Sequence, residues 1–365
     1  MLPFLFRQFR KLETNVHELN YLFWECTQRC NLSCRHCGSD CFASAKDQDM
    51  PLEDFLKALD TIPKLPENKG SGKKNFRPLI VVLTGGEPLM RPDIEQIGQE
   101  IKKRGYWWSM VSNGFFYSQE MHYKLMKAGL KAITFSLDGI GEDHNWMRGN
   151  PKSYEHTVKA IEIAAKEKYL DLDVVSCINR RSIHQLEDIY QKLKSLGVRK
   201  WRLFTIIPIG RAKDDPQMHL TNQEMVRLMD FIEEKRNQKG PLDVTFSCEG
   251  YLGRYEEKVR PVRHFCHAGI NIASVLIDGR ICACPNIDRD VFSQGNIYRD
   301  NLYDVWENKF QVFRNRNWAK KGTCSRCPQF KNCQGGGMHN WHAPEGKGIA
   351  DLQNPLSCHY RRTNT

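Results

Sequence analysis

Five cysteines lie close together near the start of the chain, in the stretch "WECTQRCNLSCRHCGSDC" at positions 24–41. Three of them, Cys30, Cys34 and Cys37, follow the spacing Cys-x3-Cys-x2-Cys. This spacing lets one loop turn three thiolates towards a common centre, and thiolates are ligands of zinc and of iron–sulfur clusters. The stretch therefore predicts a metal site.

Zinc is the simplest metal that such a site could hold. A structural zinc ion usually has four protein ligands in a closed tetrahedron. The fourth ligand would have to be Cys26, Cys41 or His36. His36 is adjacent to Cys37, so chelation of one ion by both side chains is strained.

The remaining cysteines form a second group. The chain has 14 cysteines, and only Cys177 and Cys248 lie between the first group and the second, which runs from Cys266 to Cys358. A disulfide framework does not persist in a reducing compartment, where clustered thiols indicate metal binding instead. We therefore expect metal at both groups.

Short apolar runs alternate with amphipathic helical patterns over residues 20–247. The predicted strands are 20–26, 79–84, 106–112, 132–137, 172–178 and 200–206. The predicted helices are 51–62, 92–104, 118–128, 152–167, 183–196 and 221–238. Repeated β-then-α units indicate an α/β fold with a parallel sheet and right-handed crossovers. A barrel and a doubly wound sheet both fit, although six units are too few for a full eight-unit barrel.

Motifs whose residues could take part in binding or catalysis follow five of these strands. The cysteine motif comes after the first strand and "GGEP" (85–88) after the second. "NG" (113–114) follows the third, "DG" (138–139) the fourth and "IPIGRA" (207–212) the sixth. Functional loops of parallel β/α folds follow the carboxyl ends of the strands. The motifs are therefore expected to meet at one face.

The β/α pattern stops near residue 250, where the chain becomes rich in cysteines and loops, with one clear helix near 301–315. We therefore predict a lead segment over 1–19, a β/α domain over 20–247 and a cysteine-rich domain over 248–365. The opening "MLPFLFRQFRKLE" predicts an amphipathic helix packed on the body, or weakly on a membrane. The polar segment 66–78 predicts a surface loop.

Composition excludes several classes of protein. The 365 residues carry a formal charge of +11, spread over helical stretches, without a basic run interleaved with aromatics. Nucleic-acid binding is therefore not supported. No run reaches the ~18 apolar residues of a spanning helix, and we expect a cytoplasmic protein without a transmembrane segment.

The cysteine triad resembles the signature of the radical S-adenosylmethionine (SAM) superfamily, which places Cys-x3-Cys-x2-Cys after the first strand. The resemblance implies a partial (β/α)6 barrel of the TIM type and a 4Fe–4S cluster held by Cys30, Cys34 and Cys37. It also implies an open fourth iron that SAM chelates through its amino and carboxylate groups. Reductive cleavage of SAM would give a 5′-deoxyadenosyl radical that abstracts hydrogen. His36 departs mildly from the family, where a bulky aromatic often stands before the last cysteine.

Further motifs of the same superfamily recur in order along the chain. "GGEP" resembles the motif for the SAM amine, "VSNG" and "SLDG" resemble SAM-contacting segments, and "HNWMRG" and "PIGRA" each supply an arginine. The resemblance implies that the following residues bind the cofactor: Gly85, Gly86, Glu87, Pro88, Ser112, Asn113, Ser136, Asp138, Arg148 and Arg211. Arg148 is the expected partner of the methionyl carboxylate.

The C-terminal cysteines resemble the SPASM extension of radical SAM enzymes, which usually holds auxiliary iron–sulfur clusters. The implied metal ligands are Cys266, Cys284, Cys324, Cys327, Cys333 and Cys358. The last four would close one auxiliary 4Fe–4S cluster, although their spacing also suits a zinc ribbon.

A second auxiliary cluster is less clearly specified. Its site would use Cys266 and Cys284, but Gly337 stands where the family pattern has a further cysteine. Cys282 or Cys248 could substitute, the cluster could keep an open iron, or the site could hold none. Cys26, Cys41 and Cys177 are expected to be packed or incidental thiols.

The resemblance implies an oxidoreductase or maturase that abstracts hydrogen from a peptide or protein substrate. A reductant such as flavodoxin or ferredoxin would supply the electron. Sulfatase-type formylglycine formation is disfavoured because Pro285 stands where those enzymes carry an aspartate, although Asp288 or Asp278 could lie nearby. The alternative is a tetrapyrrole enzyme of heme or heme d1 biosynthesis. The segment "WECTQRCNLSCRHC" of this chain resembles the corresponding segment of those enzymes. A non-catalytic iron–sulfur or zinc protein is a third hypothesis.

Overall fold

The computed structural model describes residues 3–39, 41, 49–64, 78–247 and 249–364. The predicted surface loop at 66–78 lies, except for its last residue, outside this part of the chain, as does Cys248.

Ten strands of the described chain form one sheet, and seven of them repeat the β/α pattern. These seven are β1 (Tyr21–Thr27), β2 (Ile80–Gly85), β3 (Trp107–Ser112), β4 (Leu130–Ser136), β5 (Asp171–Ile178), β6 (Lys200–Thr205) and β7 (Asp243–Phe246). They lie side by side in chain order, each parallel to the next. The predicted α/β class with a parallel sheet is confirmed, and β7 is a seventh strand that the sequence analysis missed.

The other three strands come from the cysteine-rich region. They are β8 (Ile272–Val275), β9 (Arg280–Cys282) and β10 (Gly295–Asn296). Strand β8 pairs in parallel with β1, β9 pairs antiparallel with β8, and β10 pairs antiparallel with β9. The C-terminal region therefore continues the sheet at the edge that β1 would otherwise form.

The helices follow the predicted order with small shifts at their ends. In the described chain they are α1 (Pro3–Val16), α2 (Leu52–Leu59), α3 (Ile94–Lys103), α4 (Gln119–Ala128), α5 (Glu142–Arg148), α6 (Ser153–Ala165), α7 (Leu186–Ser195), α8 (Asn222–Gln238), α9 (Arg289–Phe292), α10 (Leu302–Lys309), α11 (Gln311–Arg314), α12 (Phe330–Cys333) and α13 (His359–Thr363). Helix α5 was not predicted. Helix α4 ends at Gly129, whose φ of 97° is the left-handed conformation that glycine adopts without strain.

The strands separate two faces, as the alternation of their side chains requires. On one face, buried residues such as Trp24, Trp108 and Trp201 pack in the core, and Trp24 stacks on Phe55 of α2 with ring centroids 4.0 Å apart. The half-buried alternate residues, including Cys177, line a cavity on the other face. The sheet thus buries one side in helices and leaves the other for a site.

Helix α1 packs on the C-terminal region, as its amphipathic pattern predicts. Its buried Phe6 clusters with Phe265 and Ile270. The buried Arg10 donates hydrogen bonds to the carbonyls of Lys331 and Asn332, at 2.7 and 2.9 Å. Among the described helices, none has the length and apolar character needed to span a membrane.

Candidate active site

The three predicted cysteines of the first motif lie on a single loop at the carboxyl end of β1. We call residues 28–38 the first cysteine loop. Cys34 is buried, while Cys30 and Cys37 are half-buried. The chain turns back on itself here, because the Cys37 amide donates to the Cys34 carbonyl at 3.3 Å.

The glycines of "GGEP" hold the start of this loop by close backbone contact. The Gly86 amide donates to the Thr27 carbonyl at 2.8 Å, and the Glu87 amide donates to the Arg29 carbonyl at 2.9 Å. A Cβ at Gly85 would lie 2.1 Å from the Thr27 oxygen, and one at Gly86 would lie 2.1 Å from the Arg29 oxygen. Only glycine fits at both positions, so the motif shapes the cysteine loop.

Two other loops hold the middle and the end of the first cysteine loop. A Cβ at Gly149, just after α5, would lie 2.6 Å from the Ser33 hydroxyl. A Cβ at Gly210, in the predicted "PIGRA" motif, would lie 2.4 Å from the Cys37 carbonyl. The Arg211 amide also donates to that carbonyl, at 3.1 Å. Segments that follow three different strands therefore enclose the loop.

The three thiols have different electrostatic surroundings. Burial raises the pKa of Cys30 to about 12. A hydrogen bond from the Cys41 thiol lowers the pKa of Cys37 to about 4, against the opposing effect of burial. Arg148 donates to the Cys34 sulfur at 3.7 Å. Cys41 thus contacts the triad directly, although it was expected to be incidental.

Glu87 joins the ends of β2 and β3. It is buried and accepts hydrogen bonds from the Ser112 hydroxyl at 2.8 Å, the Asn113 amide at 2.7 Å and the Leu89 amide at 3.1 Å. Burial raises its pKa to about 6 even though these hydrogen bonds favour the charged form. The Glu87 carboxylate therefore ties the ends of the two strands together, and its contact with SAM stays a prediction.

A buried ion pair lies beside the triad. The carboxylate of Asp138 and the guanidinium of Arg148 are 2.6 Å apart, and both side chains are buried. Arg148 holds the pKa of Asp138 below its usual value although burial opposes this. The Asp138 amide donates to Nδ1 of His144, and burial lowers the pKa of that imidazole to about 3. His144 is therefore neutral and fixes the turn after β4.

The remaining predicted cofactor residues lie at the same end of the sheet. Ser136 is the last residue of β4, and Pro88 begins a short 3-10 turn after β2. The side-chain Nδ2 of Asn113 donates to Oδ1 of Asn31 at 2.9 Å, which links the motif after β3 to the first cysteine loop. The predicted motifs therefore do meet at one face, and their contacts with a cofactor stay a prediction.

A cavity of about 830 Å³ opens next to the first cysteine loop. One wall is formed by His36, Cys37 and the apolar ends of β3, β5 and β6. The opposite wall comes from the C-terminal region and includes Cys284, His339 and His342. Nδ1 of His36 is buried without a hydrogen-bond partner among the described residues, so this wall still has a polar atom to offer a ligand. The triad and the cavity therefore fit a cluster with a cofactor beside it.

Four of the C-terminal cysteines come together from separate segments. Cys324, Cys327 and Cys333 lie on neighbouring turns, and Cys358 precedes α13. Burial, and after it the negative charges of the other three thiolates, raise the pKa of Cys333 to about 12. That mutual repulsion is the electrostatic signature of an assembled thiolate site, which a bound cluster would relieve.

The other C-terminal candidates, Cys284 and Cys266, lie in different places. Cys284 lines the cavity of about 830 Å³, and Asp288 lies there too, 3.6 Å from His342. Cys266 is half-buried, and Arg316 lowers its pKa although burial opposes this. His339 and His342 also line this cavity and were not predicted as site residues. In the sequence, only the pair of histidines in "MHNWH" could have indicated them.

Two thiols predicted to be incidental are packed within the protein. Cys26 is fully buried on β1 and donates to the Thr84 carbonyl at 3.3 Å. Cys177 lies within 4.8 Å of ligand atoms of His36 and Asp138. Cys177 is therefore nearer to the site than a purely incidental thiol would be.

Comparisons with known proteins agree with these two regions. The sequence model of the radical SAM superfamily matches residues 24–193, and the model of the SPASM iron-sulfur cluster-binding domain matches residues 266–328. An AdoMet-dependent heme synthase from Methanosarcina barkeri is 25% identical over 338 residues, which cover 88% of this chain and 91% of that protein. The mycofactocin maturase MftC from Mycobacterium ulcerans is 26% identical over 319 residues, which cover 87% of this chain and 82% of that one.

Solved structures share the whole fold. The structure of anSMEcpe with bound AdoMet and a peptide has a TM-score of 0.69 at 19% identity, over 95% of both chains. Streptococcus suis SuiB bound to its precursor peptide SuiA has a TM-score of 0.67 at 15% identity, over 90% of this chain and 75% of SuiB. At these identities the likeness shows the fold alone.

Proposed function

Because this chain is a radical SAM enzyme with a C-terminal SPASM region, we propose that it removes hydrogen from an iron-containing tetrapyrrole. The heme synthases among its relatives support this proposal. The main expectation from the sequence, a peptide or protein substrate, is less well supported than its tetrapyrrole alternative. The cavity of about 830 Å³ beside the triad is the observation that carries the proposal.

The cofactors of the proposed reaction follow from the two matched regions. The 4Fe–4S cluster with SAM, when bound, supplies the radical that removes hydrogen, and the SPASM region holds an auxiliary cluster. We propose that Cys30, Cys34 and Cys37 hold the first cluster with one iron open to SAM. Cys324, Cys327, Cys333 and Cys358 hold the auxiliary cluster. A flavodoxin or ferredoxin is the proposed reductant.

The cavity suits a large, flat, partly apolar substrate. Its volume lies in the range of roughly 300–1,000 Å³ that protein sites for such molecules occupy. Apolar side chains from the sheet, among them Val111, Phe204 and Ile207, form one wall and can cover a ring system. Lys347, which also lines the cavity, can pair with a carboxylate at a tetrapyrrole's margin.

A peptide is the second candidate substrate, and the relatives give the specific reason. MftC, at 26% identity, is named as the maturase of mycofactocin. The same cavity would then accept a side chain that projects from an extended peptide. Asp288 faces the cavity, although Pro285 occupies the position of the aspartate expected in sulfatase-type maturases.

Anaerobic reconstitution with dithionite and SAM tests the proposal. Iron–coproporphyrin III should bind with a shift of its absorption bands, and it should stimulate 5′-deoxyadenosine formation at least about tenfold, a barrier change of about 1.4 kcal/mol. Lys347→Glu should weaken this binding, whereas Lys194→Glu, an exposed lysine on α7, should not. If the tetrapyrrole neither binds nor stimulates while a precursor peptide does, the peptide alternative stands instead.

A further inference from the structure

The position where the SPASM pattern expects a cysteine is filled by another side chain. A Cβ built on Gly337 would lie 2.4 Å from Cε1 and 2.9 Å from Nδ1 of His339. The backbone φ of Gly337 is −70°, which any residue adopts, so conformation does not demand glycine here. The imidazole of His339 therefore takes the place that a side chain at position 337 would need.

Cys266 is hydrogen-bonded to the backbone directly before His339. The Cys266 thiol accepts a hydrogen bond from the amide of Met338, the residue directly before His339. Arg316 donates to that thiol, and its charge also acts on His339. The turn that carries His339 therefore also holds the Cys266 thiol through its backbone.

His339 also faces the second expected ligand of this site. Its side chain and Cys284 both line the 830 Å³ cavity. Its ring makes one long hydrogen bond within the described residues, 3.4 Å between Nε2 and the side-chain Nδ2 of Asn340. A ring that is held by backbone geometry and only weakly engaged by neighbours is available to a metal.

Cys282 makes a poor substitute ligand. It is fully buried in the apolar core, and its thiol pairs with the Ser293 hydroxyl at 3.4 Å.

We propose that His339 replaces the missing cysteine as a ligand of a second auxiliary iron–sulfur cluster, together with Cys266 and Cys284. Imidazole does bind iron in protein clusters, and it raises their reduction potential relative to thiolate because it adds no negative charge. Each ligand of a cluster binds a different iron, so the three atoms need not touch one another. This inference is independent of whether the substrate is a tetrapyrrole or a peptide.

Iron counting on the full, anaerobically reconstituted chain tests the proposal, in the Cys30/Cys34/Cys37→Ala background that removes the first cluster. Adding His339→Ala should lower the iron by about four per chain, the content of one 4Fe–4S cluster. His342→Ala is the matched control, because that imidazole lines the same cavity without filling the space beside Gly337, and it should keep the iron. Cys248→Ala should keep it as well.

A spectroscopic measurement keeps the test valid if His339→Ala fails to fold. The reduced protein with 15N-histidine should show hyperfine coupling from an iron-bound nitrogen, and imidazole added to His339→Gly should restore it. Absence of that coupling in the otherwise unsubstituted chain would overturn the proposal. Loss of iron in Cys248→Ala but not in His339→Ala would overturn it too, because Cys248 would then be the ligand.

Discussion

The two cysteine regions of the molecule are built in opposite ways. Cys30, Cys34 and Cys37 lie within eight residues, on a loop that segments following β2, β4 and β6 enclose. The C-terminal cysteines come from segments between Cys266 and Cys358 that are joined by short helices and turns. Local spacing specifies the first site, whereas the second exists only after distant segments have packed. The first should therefore control chemistry, and the second should depend on the assembly of the fold.

The largest effect should come from the first cysteine loop. The triple substitution Cys30/Cys34/Cys37→Ala removes the three proposed protein ligands of the radical SAM cluster. We expect 5′-deoxyadenosine formation to fall at least ~1,000-fold, a loss of about 4 kcal/mol of barrier lowering. Liquid chromatography of quenched reactions measures it, and iron should remain in the C-terminal region. Undiminished cleavage of SAM would contradict the assignment.

A smaller effect on SAM cleavage is expected from the other region. Cys333→Ala removes one of four thiolates whose charges already act on one another. The variant should lose about four irons per chain, yet keep 5′-deoxyadenosine formation within about tenfold of the parent, because the first site stays intact. Zinc in place of iron in the unsubstituted chain would contradict the proposed auxiliary cluster.

Two glycine substitutions compare the stability at a position that touches the first cysteine loop with that at a position surrounded by open space. Gly86→Ala forces a Cβ against the Arg29 carbonyl, and we expect a loss of about 1–3 kcal/mol in the free energy of unfolding. Gly348→Ala is the control, since nothing lies within 4 Å of its Cβ position and its φ of −121° is ordinary. Urea unfolding followed by circular dichroism measures both. Equal stability of the two variants would show that the loop is not tightly held.

The pH dependence of stability gives a subtler test of the first region. Glu87 has a folded pKa of about 6, above the 4.5 of the free side chain, so its contribution to stability is present at low pH and is lost as pH rises through 6. The free energy of unfolding should therefore fall by about 1 kcal/mol between pH 5 and pH 7. Glu87→Gln should lack that part of the slope. Parallel slopes for the two proteins would exclude a raised pKa.

The smallest effect should come from a cysteine that is near the triad in sequence but packed elsewhere. Cys26→Ala removes a buried sulfur and a weak hydrogen bond, at about 1 kcal/mol of stability. Its iron content and SAM cleavage should equal those of the parent. Cys41→Ala is the informative partner, because Cys41 contacts Cys37 and its loss should change the titration of that thiol.

The contrast also explains what the sequence could predict. The triad, the parallel β/α pattern and the end of α4 after residue 128 follow from local patterns that tertiary contacts reinforce. Strand β7 escaped prediction because its four residues, "DVTF", are too few for a periodic signal. The space that His339 takes beside Gly337 depends on a side chain folding back over its own loop, which no spacing rule describes.

The motif residues show a similar limit. Gly85 and Gly86 were predicted to bind the cofactor, and the structure adds that they admit the backbone of the cysteine loop. Glu87 was predicted to bind the cofactor as well, and its carboxylate also joins two strands, a role that the motif alone did not indicate. A resemblance locates such residues well, but the contacts of each side chain have to be seen in the structure.

The pairing of β8 with β1 has a consequence for how the chain can be divided. Without residues 272–275, β1 would be an edge strand with a row of unpaired amides and carbonyls along "YLFW". Exposed apolar edges recruit other chains and cause aggregation. A truncated protein that ends before β8 should therefore be insoluble even though all three triad cysteines are present, and expression trials should retain the C-terminal region.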